Sequence, residues 1–163
     1  MLILYYSLFK SHIQYGIIIW GTTYKTYLKN ISSIQNKIIK LIGGGKWQNH
    51  ATPYYAKLKI LKLKDLFELE LAIFMWKFKN NYLPQTFSNY FTKLNELYSR
   101  STRASLQSSY FLPFYKTSNL QKSIKYQGAK LWNSMDNKLK SCTSLKLFKR
   151  KYKSFLLCKY QNL

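Results

Sequence analysis

At 163 residues the chain has the length of one ordinary domain. A composition 47% hydrophobic and 18% aromatic is rich enough to build a core, which excludes global disorder. The 27 basic residues against 5 acidic ones leave a net charge of +22, a self-repulsion that calls for a polyanionic partner: nucleic acid first, an anionic membrane surface second.

Residues 1–20 (MLILYYSLFKSHIQYGIIIW) read as a helix followed by a short apolar run. Leu2, Tyr5, Leu8, Phe9, His12 and Ile13 fall on one face at helical spacing, and Gly16 weakens the continuation. His12 on that apolar face reads as a buried, hydrogen-bonded histidine rather than a ligand or base. Residues 24–42 form the clearest amphipathic helix. Leu28, Ile31, Ile34, Ile38, Leu41 and Ile42 make its stripe, with Lys25, Lys29, Lys37 and Lys40 mostly opposite. Gly43-Gly44-Gly45 then breaks the pattern. Lys46 lacks the GxxxxGK[ST] spacing and the glycines follow a helix, so they read as a helix C-cap rather than a phosphate loop. A polar loop holding His50 leads to Pro53, in the first turn of a short helix.

The most apolar run is 64–84, KDLFELELAIFMWKFKNNYLP. Asp65 is placed to act as an N-cap, with Glu68 closing a capping box, and Asn80-Asn81 and Pro84 stop the helix. Leu66, Phe67, Leu69, Leu71, Ala72, Ile73, Phe74, Met75, Trp76 and Phe78 cover most of its circumference, as in a buried helix. A membrane span is the competing reading. It fails because the run is shorter than about 18 residues and contains Glu68 and Glu70.

A helical turn through Phe87, Tyr90 and Phe91 follows. The segment 92–120 is irregular, rich in serine and threonine, and has room for short extended segments around 110–115. It contains Tyr98-Ser99-Arg100-Ser101-Thr102-Arg103. Residues 121–135 read as a helix burying Ile124, Leu131 and Trp132, with Gly128 allowing close packing. Residues 144–157 close the chain as an amphipathic helix: Leu145, Phe148, Tyr152, Phe155 and Leu156 form its stripe, and Lys146, Lys149, Arg150 and Lys153 its basic side. The expected fold is all-α: a single domain over 1–163, of about six helices around a buried central one.

Only Arg100, Arg103 and Arg150 are arginines. Lysine is a point charge suited to phosphate, whereas bidentate reading of guanine favours arginine, so nucleic-acid contacts are expected to be sequence-blind. The candidate phosphate contacts are Lys29, Lys37 and Lys40, Arg100 and Arg103, and Lys149, Arg150 and Lys153. The A/T-rich codons of Lys, Asn, Ile, Tyr and Phe are an alternative source of the same bias.

Catalytic chemistry finds little material. Two-metal phosphoryl transfer needs clustered carboxylates, but beyond Asp65, Glu68 and Glu70 only Glu96 and Asp136 remain. Two isolated histidines give no base with an orienting partner. Cys142 and Cys158 are too few for a zinc site and read as reduced thiols of an intracellular protein, nuclear or cytoplasmic and not secreted. No signal peptide is recognisable. The expectation is no metal, no cofactor, no small-molecule ligand and no enzymatic activity of the chain alone.

Several motifs, in order, carry a resemblance: LYYSLFKSHIQYGIIIWG at 4–21, IQNKIIKLI at 34–42, HATP at 50–53, LKILKLKDL at 58–66, LAIFMWKFKNNYLPQTF at 71–87, YSRSTR at 98–103 and YQGAKLWNSM at 126–135, followed by the lysine-rich closing helix. Together they resemble the region after the catalytic palm in reverse transcriptases of non-LTR (LINE-type, jockey-like) retrotransposons. The resemblance implies part of an RNA-directed DNA polymerase: a helical, thumb-like region gripping a template–primer duplex of RNA and DNA, with the missing palm domain as a further partner. The paired catalytic aspartates of the palm, an endonuclease domain and a C-terminal cysteine/histidine knuckle have no counterpart here, so no polymerase residue carries over. Elements of this kind are often truncated at the 5′ end, and the chain looks like such a copy fragment. Two other readings stand beside this one: a peripheral membrane-binding basic helical protein, and a non-functional relic of a truncated element.

Overall fold

Leu2–Leu4, a π-helical stretch over Tyr5–Lys10 and Ser11–Gln14 run on as one helix, α1, in a computed structural model that describes residues 1–97 and 109–160. The π turns bond i to i+5 rather than i to i+4 and so rotate every later side chain about the axis. Tyr5 and Ile13 are buried as expected, but Leu8 and His12 are exposed. His12 is therefore not the buried histidine that a 3.6-residue period places on the core face. Its Nδ1 lies 2.5 Å from the Leu8 carbonyl oxygen.

Gly16, at φ 62°, turns the chain into α2, Ile17–Trp20. The remaining helices are α3 (Lys25–Ile42), α4 (Thr52–Leu58), α5 (Leu63–Lys79), α6 (Leu94–Leu97), α7 (Ser118–Gln121), α8 (Ile124–Ser134), α9 (Asn137–Lys140) and α10 (Leu145–Cys158). A 3₁₀ turn over Gln85–Phe87 lies between α5 and α6. The fold is all-α. The extended pairing expected around 110–115 amounts, among the described residues, to one antiparallel bridge between Lys93 and Tyr110. The sequence pattern places the long helices correctly and does not separate the four-residue ones. One break is local: Ser123 Oγ accepts the Tyr126 N–H at 3.3 Å and starts α8 as a separate helix.

The chain forms two compact units, Met1–Leu69 with Arg150–Leu163, and Glu70–Lys149. The expected buried helix is α5: Leu63, Leu66 and Leu69 are buried in its first half, and Leu71, Ala72, Ile73, Met75 and Trp76 in its second. In the first unit Leu63, Leu66 and Leu69 join Tyr5, Ile17, Ile39, Tyr55, Tyr152 and Leu156 as core residues. The buried seam of α3 centres on Gln35 and Ile39. Ile34 and Leu41, expected in its stripe, are exposed.

The start of α5 differs from a capping box. Tyr160 donates its hydroxyl hydrogen to Asp65, and Glu68 accepts from the Tyr152 hydroxyl at 2.9 Å and the Lys159 ammonium at 3.4 Å. The free N–H groups of the first turn are met from elsewhere: Lys62 N–H by the Tyr160 oxygen at 3.0 Å, and Leu63 N–H by Gln35 Oε1 at 2.9 Å. Acids so placed also complement the helix dipole.

In the second unit Trp76 donates Nε1–H to the Cys142 carbonyl at 2.9 Å and stacks on Tyr82 with centroids 5.7 Å apart. A Cβ on Gly128 would stand 2.8 Å from Met75 Sδ and 3.1 Å from Phe91, the close approach its sequence position suggests. The Asn133 carboxamide pairs with Tyr110 as a strand would, accepting its N–H at 2.9 Å and donating to its carbonyl at 2.8 Å.

Candidate nucleic-acid interface

The loop after α3 is built by the three glycines. Gly44, at φ 70°, donates its N–H to the Leu41 carbonyl, and Gly45 donates to Lys40 at 2.9 Å. This pair of bonds closes the helix as a Schellman motif, so the expected glycine cap is present as a defined turn. The Tyr54 side chain packs against Gly43 and Gly45. A Cβ on either Gly43 or Gly45 would come within 2.4 Å of its ring. Asn49 donates to the Tyr54 hydroxyl at 3.0 Å, holding the far side of the loop.

This turn carries Trp47 back over the end of α3. Lys40 donates its ammonium to the Trp47 carbonyl at 2.8 Å. The Lys37 and Lys40 nitrogens lie 5.1 and 5.9 Å from the indole centroid, within cation–π range. Trp47 itself remains 67% exposed. Lys29 lies exposed two turns earlier on the same helix.

A second basic group in the same unit brings together residues far apart in sequence. Lys10 of α1 and Lys153 of α10 line a cavity of about 30 Å³ with Tyr5, Tyr6, Ile60 and Leu61, large enough for a water molecule or two. Burial, and then the charges of Lys10 and Lys59, hold the Lys153 ammonium below the usual lysine range. Two lysines lining one cavity, with no carboxylate among its lining residues, gain from an anion placed between them.

Of the residues singled out in the sequence, Lys37 and Lys40 thus share one cluster and Lys153 sits in another. Lys149 and Arg150 are exposed on α10. Arg100 and Arg103 lie outside the described residues. Among the described residues no ion pair engages Lys29, Lys37, Lys40, Lys149, Arg150 or Lys153. Sequence reasoning missed Trp47, Lys10 and Lys59. Trp47 carried a signal, an aromatic directly after Gly-Gly-Gly-Lys in a polar loop. Lys10 and Lys59 carried none, because their meeting with Lys153 depends on tertiary packing.

Among the described residues no His, Cys, Asp and Glu side chains come together in a group of three or more that would hold a metal ion. Cys142 and Cys158 are both free. No described helix is long and apolar enough to cross a membrane.

The chain is 33% identical over 64 residues to a probable RNA-directed DNA polymerase from transposon X-element of Drosophila melanogaster. The match covers 39% of this chain and 7% of that protein's length. The likeness to a retrotransposon polymerase is distant and partial. No family model and no solved structure matches the chain.

Proposed function

We propose that this chain is a sequence-nonspecific nucleic-acid-binding region of a retrotransposon RNA-directed DNA polymerase, gripping a template–primer duplex through its phosphates and doing no chemistry of its own. One observation carries the reading. Lysines gather in two groups, Lys37 with Lys40 and Lys10 with Lys153, and among the described residues no ion pair engages any of the four. Cations left in that state bind phosphate and release its condensed counterions. The partial likeness to the X-element polymerase supports the same class of partner. Predominance of lysine over arginine favours phosphate contact without base reading.

The test is the affinity of the chain for an RNA–DNA hybrid as a function of salt. Binding is expected to weaken by about 0.9 log units per log unit of salt for each duplex phosphate engaged. A shallow slope, or tightness confined to one sequence, contradicts the proposal.

One observation favours a second reading, attachment to an anionic membrane surface. Leu2, Ile3, Leu4 and Leu8 are exposed on α1, and Lys10 follows them, an arrangement suited to an interfacial helix. Co-sedimentation with anionic vesicles that excess nucleic acid fails to compete away would support that reading over the first.

A further inference from the structure

Trp47 contributes little to the core, yet its segment is firmly held. A large apolar residue left 67% exposed gains little from burial, yet the backbone that carries it is bonded in place. The Schellman turn at Gly43–Gly45, the Tyr54 ring packed on those glycines, the Asn49 bond to Tyr54 and the Lys40 bond to the Trp47 carbonyl all order the segment that carries it. Lys37 and Lys40 hold two cations within 6 Å of the indole centre, and the residue as a whole stays 67% exposed.

We infer that Trp47 is a stacking platform for an unpaired nucleobase, with Lys37 and Lys40 taking the phosphates on either side of it. The partner is a single-stranded segment of RNA or DNA. This inference rests on the nucleic-acid reading above and goes beyond it, because phosphate contacts alone do not distinguish a strand from a duplex. Three features match what such a ligand presents. A base offers a flat π face to an exposed indole in any sequence, its flanking phosphates are anions, and the two ammonium groups sit within about 6 Å of the ring centre. A base inside a duplex has both faces already stacked on its neighbours and gains nothing from Trp47. The site therefore favours unpaired ends, overhangs and single strands.

The pre-ordered turn matters for affinity. The loop's backbone is already bonded before the strand arrives, so less ordering entropy opposes binding than for a free loop.

The experiment compares the full chain with Trp47→Ala and Trp47→Phe. Binding to oligo-dT, to oligo-U and to a blunt duplex with the same number of phosphates is followed by fluorescence anisotropy at fixed salt. The ratio of single-strand to duplex affinity is expected to fall by about 5- to 100-fold in Trp47→Ala, and to be largely kept by Trp47→Phe, which retains a ring. Similar losses with oligo-dT and oligo-U indicate that the base is recognised regardless of the sugar. If one falls alone, the site is restricted to that strand type. An unchanged ratio in Trp47→Ala overturns the stacking platform while leaving phosphate binding in place. Failure of the unaltered chain to bind any of the three overturns both readings.

Discussion

Gln35 Oε1 accepts the backbone N–H of Leu63 at 2.9 Å, so the start of α5 is capped by a side chain 28 residues earlier in the chain. The other end of the same carboxamide donates to the Leu61 carbonyl and to the Tyr5 hydroxyl, both at 3.0 Å. One fully buried polar side chain thereby joins α1, α3 and the entrance to α5. Its cost of desolvation is offset because each partner is itself a buried polar group needing a bond.

Replacing Gln35 by Leu removes all three bonds and leaves the Leu63 N–H and Leu61 carbonyl without them. The expected loss of stability is about 2–4 kcal/mol, read as a shift in the urea midpoint. Lys29→Gln on the exposed part of the same helix is expected to change stability by less than about 0.5 kcal/mol. Equal stability of Gln35→Leu and the unaltered chain would contradict the capping role.

Alkali should unfold the protein cooperatively. Burial raises the hydroxyls of Tyr5, Tyr55, Tyr152 and Tyr160 above the usual tyrosine value of 10.0, and raises Tyr110 to about 12. The unfolded chain releases these protons near pH 10 while the folded chain keeps them, so the stability they contribute is complete below about pH 10 and falls above it. The depressed Lys140 and Lys153 act in the opposite sense, adding stability as pH rises toward the usual lysine value of 10.5. Phenolate absorbance and the helical signal, followed together from neutral pH upward, are expected to show a late step in which both change at once. Smooth titration of all 15 tyrosines with the helical signal retained would oppose this.

Lys140 is a stability defect by the same logic. Its residue is 5% exposed, and its ammonium finds no hydrogen-bond partner among the described residues. Burial, then the neighbouring charge of Lys79, holds its pKa below the usual lysine range. Lys140→Met keeps the side-chain length and removes a buried cation that burial and Lys79 disfavour more than Asp136 favours, with an expected gain of about 1–3 kcal/mol. Loss of stability in that variant would indicate that the ammonium is satisfied.

The long helices were legible in extent, since α3, α5 and α10 fall where the apolar pattern and its start and stop signals put them. The buried seam of α3, however, is Gln35 and Ile39 rather than Ile34 and Leu41. The stop of α5 was legible too. Asn81 takes φ 57° and Tyr82 donates to the Lys77 carbonyl at 2.9 Å, closing the helix where Asn80-Asn81 announces it. His12 was misplaced because a π stretch leaves no mark in apolar spacing. Asp65 and Glu68 were read as local caps because a sequence shows neighbours along the chain, while Tyr152, Lys159 and Tyr160 reach them from 84 to 95 residues away. The candidate interface was half legible. Lys37 and Lys40 share a face by spacing alone, whereas the meeting of Lys10, Lys59 and Lys153 is a product of packing.

The most direct test of the account is the salt dependence of RNA–DNA hybrid binding by the chain and by its Lys37→Gln/Lys40→Gln double variant. The unaltered chain is expected to show a steep linear fall of log affinity with log salt. The variant is expected to show a slope shallower by about 1.8, or two phosphates at 0.9 each. A variant slope equal to that of the unaltered chain, or no salt dependence in either, would contradict phosphate binding at this cluster.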